Sequence, residues 1–401
     1  MKKHILSVAA LFCLFTANPG SGCAKTVAAL NENNETGTSE AAPAAPKKKN
    51  SSMSFIFLGD MHYCDAKFYD LDAMLAEKAG DHRQITKTYA PVTEANWNDQ
   101  IAQLKQVVKN TVPEVKCIVQ LGDISEGLAN YEGAADRMAE NVTKVLRDTK
   151  MGVPWVLAKG NHDITGVGAY KQDARDAFGK YYVPFIKEQT GCENVNEGNY
   201  VYRNGDCLFV ALDSWNNKVD QVKFAKDAFE GSDAKYKFVI LHEPIVPVSE
   251  RCWFFLKNNS EKREELLNVI AANKAIILCG HLHRYSVLRR NTESGPVVQV
   301  MAASVTNLKR KSTPGYELGL KQYGEYLVDW KPDFNPDNAE WRREVLRKEA
   351  EFVDYYKLSD LAGYGVINID GKKGKVSMTY YSAFSDTPYD SVDLSELLNG
   401  K

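Results

Sequence analysis

Cysteines at metal-binding or redox spacing are missing from this 401-residue chain: none of its eight cysteines forms a CxxC pair. A thiolate metal cage and a CxxC redox site are thereby without support. Charge of one sign is also lacking. Lys and Arg number 50 against 52 Asp and Glu, a net charge of −2, so no global basic field argues for nucleic acid or an anionic membrane surface. No internal repeat is visible. The HExxH pattern of zinc proteases fails as well, because His242-Glu243 would need a histidine at 246 and Val246 stands there. What remains is an ordinary globular composition, 44% apolar and 25% charged, long enough to bury a full core in one large domain or two.

The N-terminus has its own layout. Lys2, Lys3 and His4 precede an apolar run over 5–15, then Asn18-Pro19-Gly20 and the small residues Ser21 and Gly22. That order predicts a secretory signal over 1–22, since the run is too short to span a bilayer as a lasting helix. Cys23 after Ser21-Gly22 resembles a bacterial lipoprotein cleavage site, which would make Cys23 lipidated. Gly20 stands where that pattern usually has leucine, and the same small residues suit ordinary cleavage. Either route places the protein in the cell envelope, in the periplasm or anchored to a membrane. Residues 23–52, rich in Ala, Asn, Pro and Lys without an apolar period, predict a solvated tether. Cys117 and Cys279 lie in apolar runs and read as buried thiols. Cys192 and Cys207 could pair in an oxidising compartment, although sequence alone does not join them.

From Met53 on, short apolar runs alternate with helical stretches. Strands are predicted at 55–58, 117–121, 155–158, 208–212, 238–241 and 276–279. Trp97, Ile101, Leu104 and Val108 mark an amphipathic helix between the first two, and Met138, Val142 and Val145 another before Trp155. Such alternation predicts an α/β fold. Later runs pair as hairpins: 200–203 with 207–212 around Asn204-Gly205-Asp206, and 366–369 with 375–380 around Asp370-Gly371. A catalytic domain over 53–401 follows, with long excursions at about 63–93 and 309–360.

Five short segments hold the chemistry, most of them at the ends of predicted strands. They are Asp60-Met61-His62, Gly122-Asp123-Ile124-Ser125-Glu126, Gly160-Asn161-His162-Asp163, His242, and Gly280-His281-Leu282-His283. Ligand sites in α/β sheets gather at the carboxyl ends of strands, so segments far apart in sequence can converge. Of seven histidines, His4 lies in the signal and His82 in a loop-like stretch; the other five all sit in these segments. Any one segment alone is weak; all five in order are specific.

Together they resemble the calcineurin-like metallophosphoesterase family, from about residue 53 to 305 by motif. The resemblance implies a four-layer α/β/β/α sandwich with two mixed sheets and a pair of metal ions. By motif, Asp60, His62 and His283 would hold the first metal, Asn161, His242 and His281 the second, and Asp123 would bridge both. Nitrogen and oxygen donors without thiolate suit Mn, Fe or Zn. Two metals would acidify a bridging water to a hydroxide nucleophile. The resemblance places His162 at the phosphate, to protonate or stabilise the leaving oxygen, with Glu126 orienting it and Asp163 nearby. Glu126 and Asp163 also read as loop-capping acceptors. The purple acid phosphatase branch has a tyrosine ligand in the second motif; Ile124, Ser125 and Glu126 follow Asp123 here, so that iron site is not expected.

Substrate choice falls to the excursions. Residues 63–93 contain Tyr63, Phe68, Tyr69, His82, Arg83 and Tyr89; the stretch after His242 holds Arg251, Trp253, Phe254 and Phe255; and 309–360 holds Tyr316, Tyr323, Trp330, Trp341 and Tyr356. These aromatics either stack a nucleobase or sugar or pack as satellite cores under loops. Arg251 and Arg284 would clamp a second phosphate, or be solvated charges. The leading expectation is a phosphomonoesterase acting on nucleotides, sugar phosphates or phosphoproteins. A phosphodiesterase on a nucleotide or lipid headgroup is the near alternative, and a metal-free binding module the remote one. No nucleic acid partner is expected.

Overall fold

A computed structural model describes residues 52–305, 312–330, 338–382 and 385–400. The expected signal, and the expected tether up to residue 51, lie outside the described residues. In chain order the strands are β1 (Met53–Leu58), β2 (Val115–Gln120), β3 (Trp155–Leu157), β4 (Tyr200–Asn204), β5 (Cys207–Ala211), β6 (Tyr236–Ile240), β7 (Ile276–Cys279), β8 (Tyr285–Thr292), β9 (Gly295–Met301), β10 (Glu317–Gly319), β11 (Val353–Ser359), β12 (Gly363–Asp370), β13 (Lys375–Ser382) and β14 (Pro388–Asp393). They form two mixed sheets, ordered β14-β13-β12-β1-β2-β3 and β10-β11-β8-β9-β7-β6-β5-β4. The first is parallel through β1, β2 and β3; the second is parallel through β5, β6, β7 and β9. Both predicted hairpins are present as β4–β5 and β12–β13.

The continuous apolar runs arise because the central strands are covered on both faces. In β5, Cys207, Phe209 and Ala211 face the core between the sheets while Leu208 and Val210 face a second core. Strand β7 repeats this, with Ile276 and Leu278 inward and Ile277 and Cys279 outward. Across the sheets, Phe55 meets Phe209 and Phe238 edge-on at 5.0 and 4.9 Å, and Tyr285 stacks on Tyr380 at 4.0 Å. Aromatic edge contacts of this kind add to area burial.

Helices complete the outer layers. After α1 (Leu71–Glu77) and α2 (Ala79–Gln84), α3 (Ala90–Asn110) and α4 (Ala134–Asp148) send Ile101, Leu104, Met138, Val142 and Leu146 into the core of the first sheet. After α5 (Lys171–Ala177) and α6 (Val183–Thr190), α7 (Gln221–Glu230) and α8 (Ser260–Ala272) cover the second sheet with Val222, Phe229, Leu266 and Ile270. Asp220 caps α7 by accepting from Val222 N–H at 3.1 Å, and Asn259 caps α8 through Lys262 N–H at 3.0 Å. The architecture is the four-layer α/β/β/α sandwich.

Three features differ from the sequence reading. Most of residues 71–89 in the first excursion are helical: after a break at Lys78 that ends α1, α2 and a π turn (Ile85–Tyr89) run directly into α3, and His82 sits on α2 rather than in a loop. The described part of the second excursion widens a sheet, because β11 pairs with β8 and β10 with β11. The six cysteines among the described residues are free thiols. Cys207 faces Met53 between the sheets and Cys192 donates to Val201 carbonyl, so the two do not pair.

A buried ionic cluster ties the second excursion down. On α10 (Ala339–Ala350), which follows α9 (Tyr326–Trp330), Glu349 accepts from Arg263 at 2.5 Å and from Arg290 Nε at 2.7 Å; Arg290 also reaches Glu264 at 2.8 Å. Glu349 and Arg290 are only 3% and 1% exposed, so removing the carboxylate strands positive charge in the core. Glu349→Ala is expected to cost about 3–5 kcal/mol, read as a lowered urea midpoint.

Candidate metal centre

Each motif begins where a strand stops. Asp60 and His62 follow β1, Asp123 follows β2, Asn161 and His162 follow β3, His242 follows β6, and His281 and His283 follow β7. All leave the carboxyl edges of the two sheets, which brings them to one place. The turns are tight. Asp60, His62, Asp123, His281 and His283 all have positive φ, between 45° and 78°, a conformation that costs non-glycine residues of order 1 kcal/mol and clusters at functional sites. Glycine is required at two neighbours. A Cβ on Gly160 would lie 2.0 Å from Asp123 N, and one on Gly122, at φ +90°, would lie 2.5 Å from His242 Nδ1.

Two sets of donors share one carboxylate. Asp60, His62, Asp123 and His283 form the first, Asp123, His242 and His281 the second, with ligand atoms in each set within 4.8 Å of one another. His283 Nε2 lies 3.2 Å from Asp60 Oδ1 and 3.0 Å from His62 Nε2. Asp123 Oδ2 is 3.0 Å from His242 Nε2 and 3.7 Å from His62 Nε2. His242 Nε2 in turn lies 3.2 Å from His281 Nδ1. Asn161 faces the same cleft, and its buried Oδ1 has no protein partner. Such converging lone pairs, one of them orphaned, fit a pair of N/O-ligated metal ions.

Neighbours fix the rings. His62 Nδ1–H donates to Glu126 Oε2 at 2.7 Å, and His242 Nδ1–H donates to Leu121 carbonyl at 2.7 Å, the outer contacts that orient ligand imidazoles. Burial, then the nearest histidine charges, holds His62 and His281 well below the ordinary imidazole value, leaving them neutral donors. Burial opposes a charge on His242, but Asp123 overrides it and raises His242 to about 10. Metal uptake at that pair therefore has to release a proton.

Glu126 departs from its expected partner. Its carboxylate holds His62 and stands 3.7 Å from His162 Nδ1; that nitrogen donates instead to the Glu126 main-chain carbonyl at 2.7 Å. His62, Glu126 and His162 also form a third close set, which the hydrogen bond to His62 accounts for. Asp163 takes the second of its two expected readings, the loop-capping acceptor. Its Oδ1 accepts from Ile124 and Ser125 N–H at 2.9 and 3.0 Å, and its Oδ2 from Gly160 N–H at 2.9 Å. It ties the Asp123 loop to the Asn161 loop and touches no reacting group.

The site opens into a cleft of about 590 Å³ that Arg251 and Trp253 line, with Trp253 tilted 5.5 Å from the His281 ring. Arg284 is not in the lining; it contacts Glu250 at 3.4 Å, under Tyr316. Tyr323 and Tyr356 hold the loop after His242 by donating to Pro247 and Val248 carbonyls at 2.8 and 2.7 Å, as satellite packing rather than stacking platforms. The first excursion supplies the opposite contribution: Arg83, Gln84, Thr88 and Tyr89 line the cleft, and Tyr89 stacks on His62 at 4.4 Å. Gln84 and Thr88 escaped the sequence reading, whose only signal there was an excursion beginning directly after the first motif. Gln84 Nε2 donates to Glu126 Oε1 at 2.6 Å, so it restrains His62 through Glu126. Gln84→Ala is expected to weaken metal binding about tenfold in a chelator competition, at the low end of losses for outer-sphere partners.

A model of the calcineurin-like phosphoesterase family matches residues 53–285. None of the curated proteins matches the chain significantly. Among solved structures, the structure of PhoD is 12% identical, with 88% of this chain and 70% of that one covered at a TM-score of 0.49. A dimetal phosphatase from Danio rerio is 13% identical, covering 85% and 98% at 0.47. GAP50, the anchor in the inner membrane complex of Plasmodium, is 13% identical, covering 85% and 88% at 0.45.

Proposed function

The chain belongs to the calcineurin-like phosphoesterase family, and from that premise we propose that it is a two-metal phosphomonoesterase of the cell envelope. The observation that carries this is Asp123, shared between two donor sets at the floor of an open cleft. Asp60, His62, Asp123 and His283 would hold one ion and Asn161, Asp123, His242 and His281 the other. A bound pair of Mn, Fe or Zn ions supplies Lewis-acid charge and lowers the pKa of water. The chain's own residues do the rest. Asp123 Oδ1 accepts from His162 N–H at 2.8 Å and so sets His162 against the metal floor. With His162 Nδ1 bound to Glu126 carbonyl, Nε2 is the nitrogen left for the leaving oxygen. A phosphate dianion suits this surface better than a diester monoanion.

Candidate substrates are phosphorylated small molecules, such as nucleotides or sugar phosphates, and phosphoproteins. Export, with Cys23 as a lipid attachment point, rests on the basic, apolar and small-residue order of residues 2–23. The test of the activity is hydrolysis of a chromogenic phosphate monoester against its diester by the Mn-loaded protein, with Asp123→Asn as control. Faster monoester turnover is the expected result; faster diester turnover replaces this reading with a phosphodiesterase.

A further inference from the structure

Tyr89, the last residue of the π turn, stands where the first excursion meets the site. Ala90 N–H closes that turn by donating to Ile85 carbonyl. Pro91 in the first turn of α3 explains it: proline has no N–H to give Lys87 carbonyl, and its ring would crowd that oxygen in a regular helix. The same arrangement recurs at Phe178–Tyr182, where Val183 N–H donates to Phe178 carbonyl ahead of Pro184. A five-residue step changes which side chains share a face. Gln84 and Tyr89, five apart, converge on one ring. Gln84 holds Glu126, the carboxylate that accepts from His62 Nδ1–H, and Tyr89 stacks on His62 itself.

His62 is thus bracketed by two groups able to donate a hydrogen bond. The Tyr89 ring lies 4.4 Å from it at 25°, and the His162 ring meets it edge-on at 4.7 Å and 79°. Both residues line the cleft. His162 has Nδ1 tied to Glu126 carbonyl and Nε2 left for the leaving oxygen. Tyr89 is placed differently. Its ring covers His62, yet none of the described residues makes a hydrogen bond to its hydroxyl. Nor is that hydroxyl sealed from solvent, as the hydroxyl of Tyr182 is. Stacking on His62 requires only the ring, which phenylalanine would supply equally; the oxygen has its use in the cleft.

We propose that Tyr89 is a further catalytic residue, whose hydroxyl donates a hydrogen bond to a non-bridging oxygen of the substrate phosphate. This rests on the phosphomonoesterase reading above. A phosphate monoester has non-bridging oxygens that His162 does not serve, and a neutral O–H answers their charge without adding a cation to a cleft built for two metal ions. The phenol keeps its proton throughout. Because the bond is to the group every substrate shares, its contribution does not depend on which alcohol leaves.

Tyr89→Phe tests this by keeping the stacked ring and removing the oxygen alone. In the Mn-loaded protein it is expected to lower kcat/KM for phosphate monoesters about 10–100-fold, and to weaken binding of inorganic phosphate in calorimetry about tenfold, as loss of a hydrogen bond to a charged group allows. Elemental analysis should still find two ions per chain. The loss should be equal for nitrophenyl and alkyl phosphates, so the slope of log kcat against leaving-group pKa stays that of the parent protein. A change of less than about threefold in both measurements makes Tyr89 a packing residue and overturns the proposal. A steepened slope overturns it too, by putting the phenol on the leaving oxygen, and so does loss of a metal ion, which would make Tyr89 a ligand. Hydrolysis of a simple monoester by the parent protein separates the two ideas. Its absence condemns the phosphomonoesterase reading, whereas phosphate binding reports on Tyr89 without any turnover.

Discussion

Asp123→Asn is expected to lower turnover by at least about 10³-fold and to reduce bound metal below two ions per chain, because several kcal/mol of charge stabilisation depend on the metal pair. Both carboxylate oxygens are committed. Oδ1 accepts the His162 N–H at 2.8 Å, and Oδ2 lies 3.0 Å from His242 Nε2 and 3.7 Å from His62 Nε2. An asparagine can keep the first contact by placing its carbonyl oxygen there. Its NH2 group then occupies the second position and points two N–H donors at the lone pairs and ions that need a negative acceptor. The variant retains shape, and circular dichroism should match that of the parent, while elemental analysis and kinetics both fail. Two ions per chain with undiminished turnover would remove Asp123 from the centre of the site.

The sheets were legible because β1, β2 and β5 to β7 are covered on both sides and therefore read as unbroken apolar runs. The same rule hides the edges. Strand β14, Pro-Tyr-Asp-Ser-Val-Asp, pairs only with β13 and has no fully buried residue, so no apolar period marks it. In β11 the pairing slips between Val353 and Tyr355, and that irregularity breaks the two-residue alternation that would have revealed a strand. The residues that converge on the cleft could be named from sequence because each follows a strand end. Their outer contacts could not. Whether Glu126 turns to His62 or to His162 depends on how two loops from different strands meet, and Asp163 joins loops that sequence separates by 38 residues or more. Gln84 is harder still, since an amide on a short helix carries no signal until Glu126 is seen beside it.

His162→Ala is expected to separate chemistry from metal binding. The ring has no place in either set of donors that shares Asp123, so two ions should remain bound. What is lost is the imidazole whose Nδ1 is tied to Glu126 carbonyl at 2.7 Å and whose side chain is about one-fifth exposed at the cleft floor. Burial disfavours its charged form, yet Asp123 and Glu126 outweigh burial and raise its pKa, which suits an acid at neutral pH. An acid matters only when the leaving oxygen needs a proton. For an alkyl phosphate the alkoxide is a poor leaving group, and the variant should lose about 10²–10⁴-fold in kcat. For a nitrophenyl phosphate the departing phenolate is stable, and the loss should shrink to about tenfold, since little of the proton transfer is then required. The decisive quantity is the slope of log kcat against leaving-group pKa, which should steepen in the variant. An unchanged slope with a uniform loss would make His162 a binder of the phosphate oxygens, and loss of metal along with activity would return it to the ligand set with His62 and Glu126.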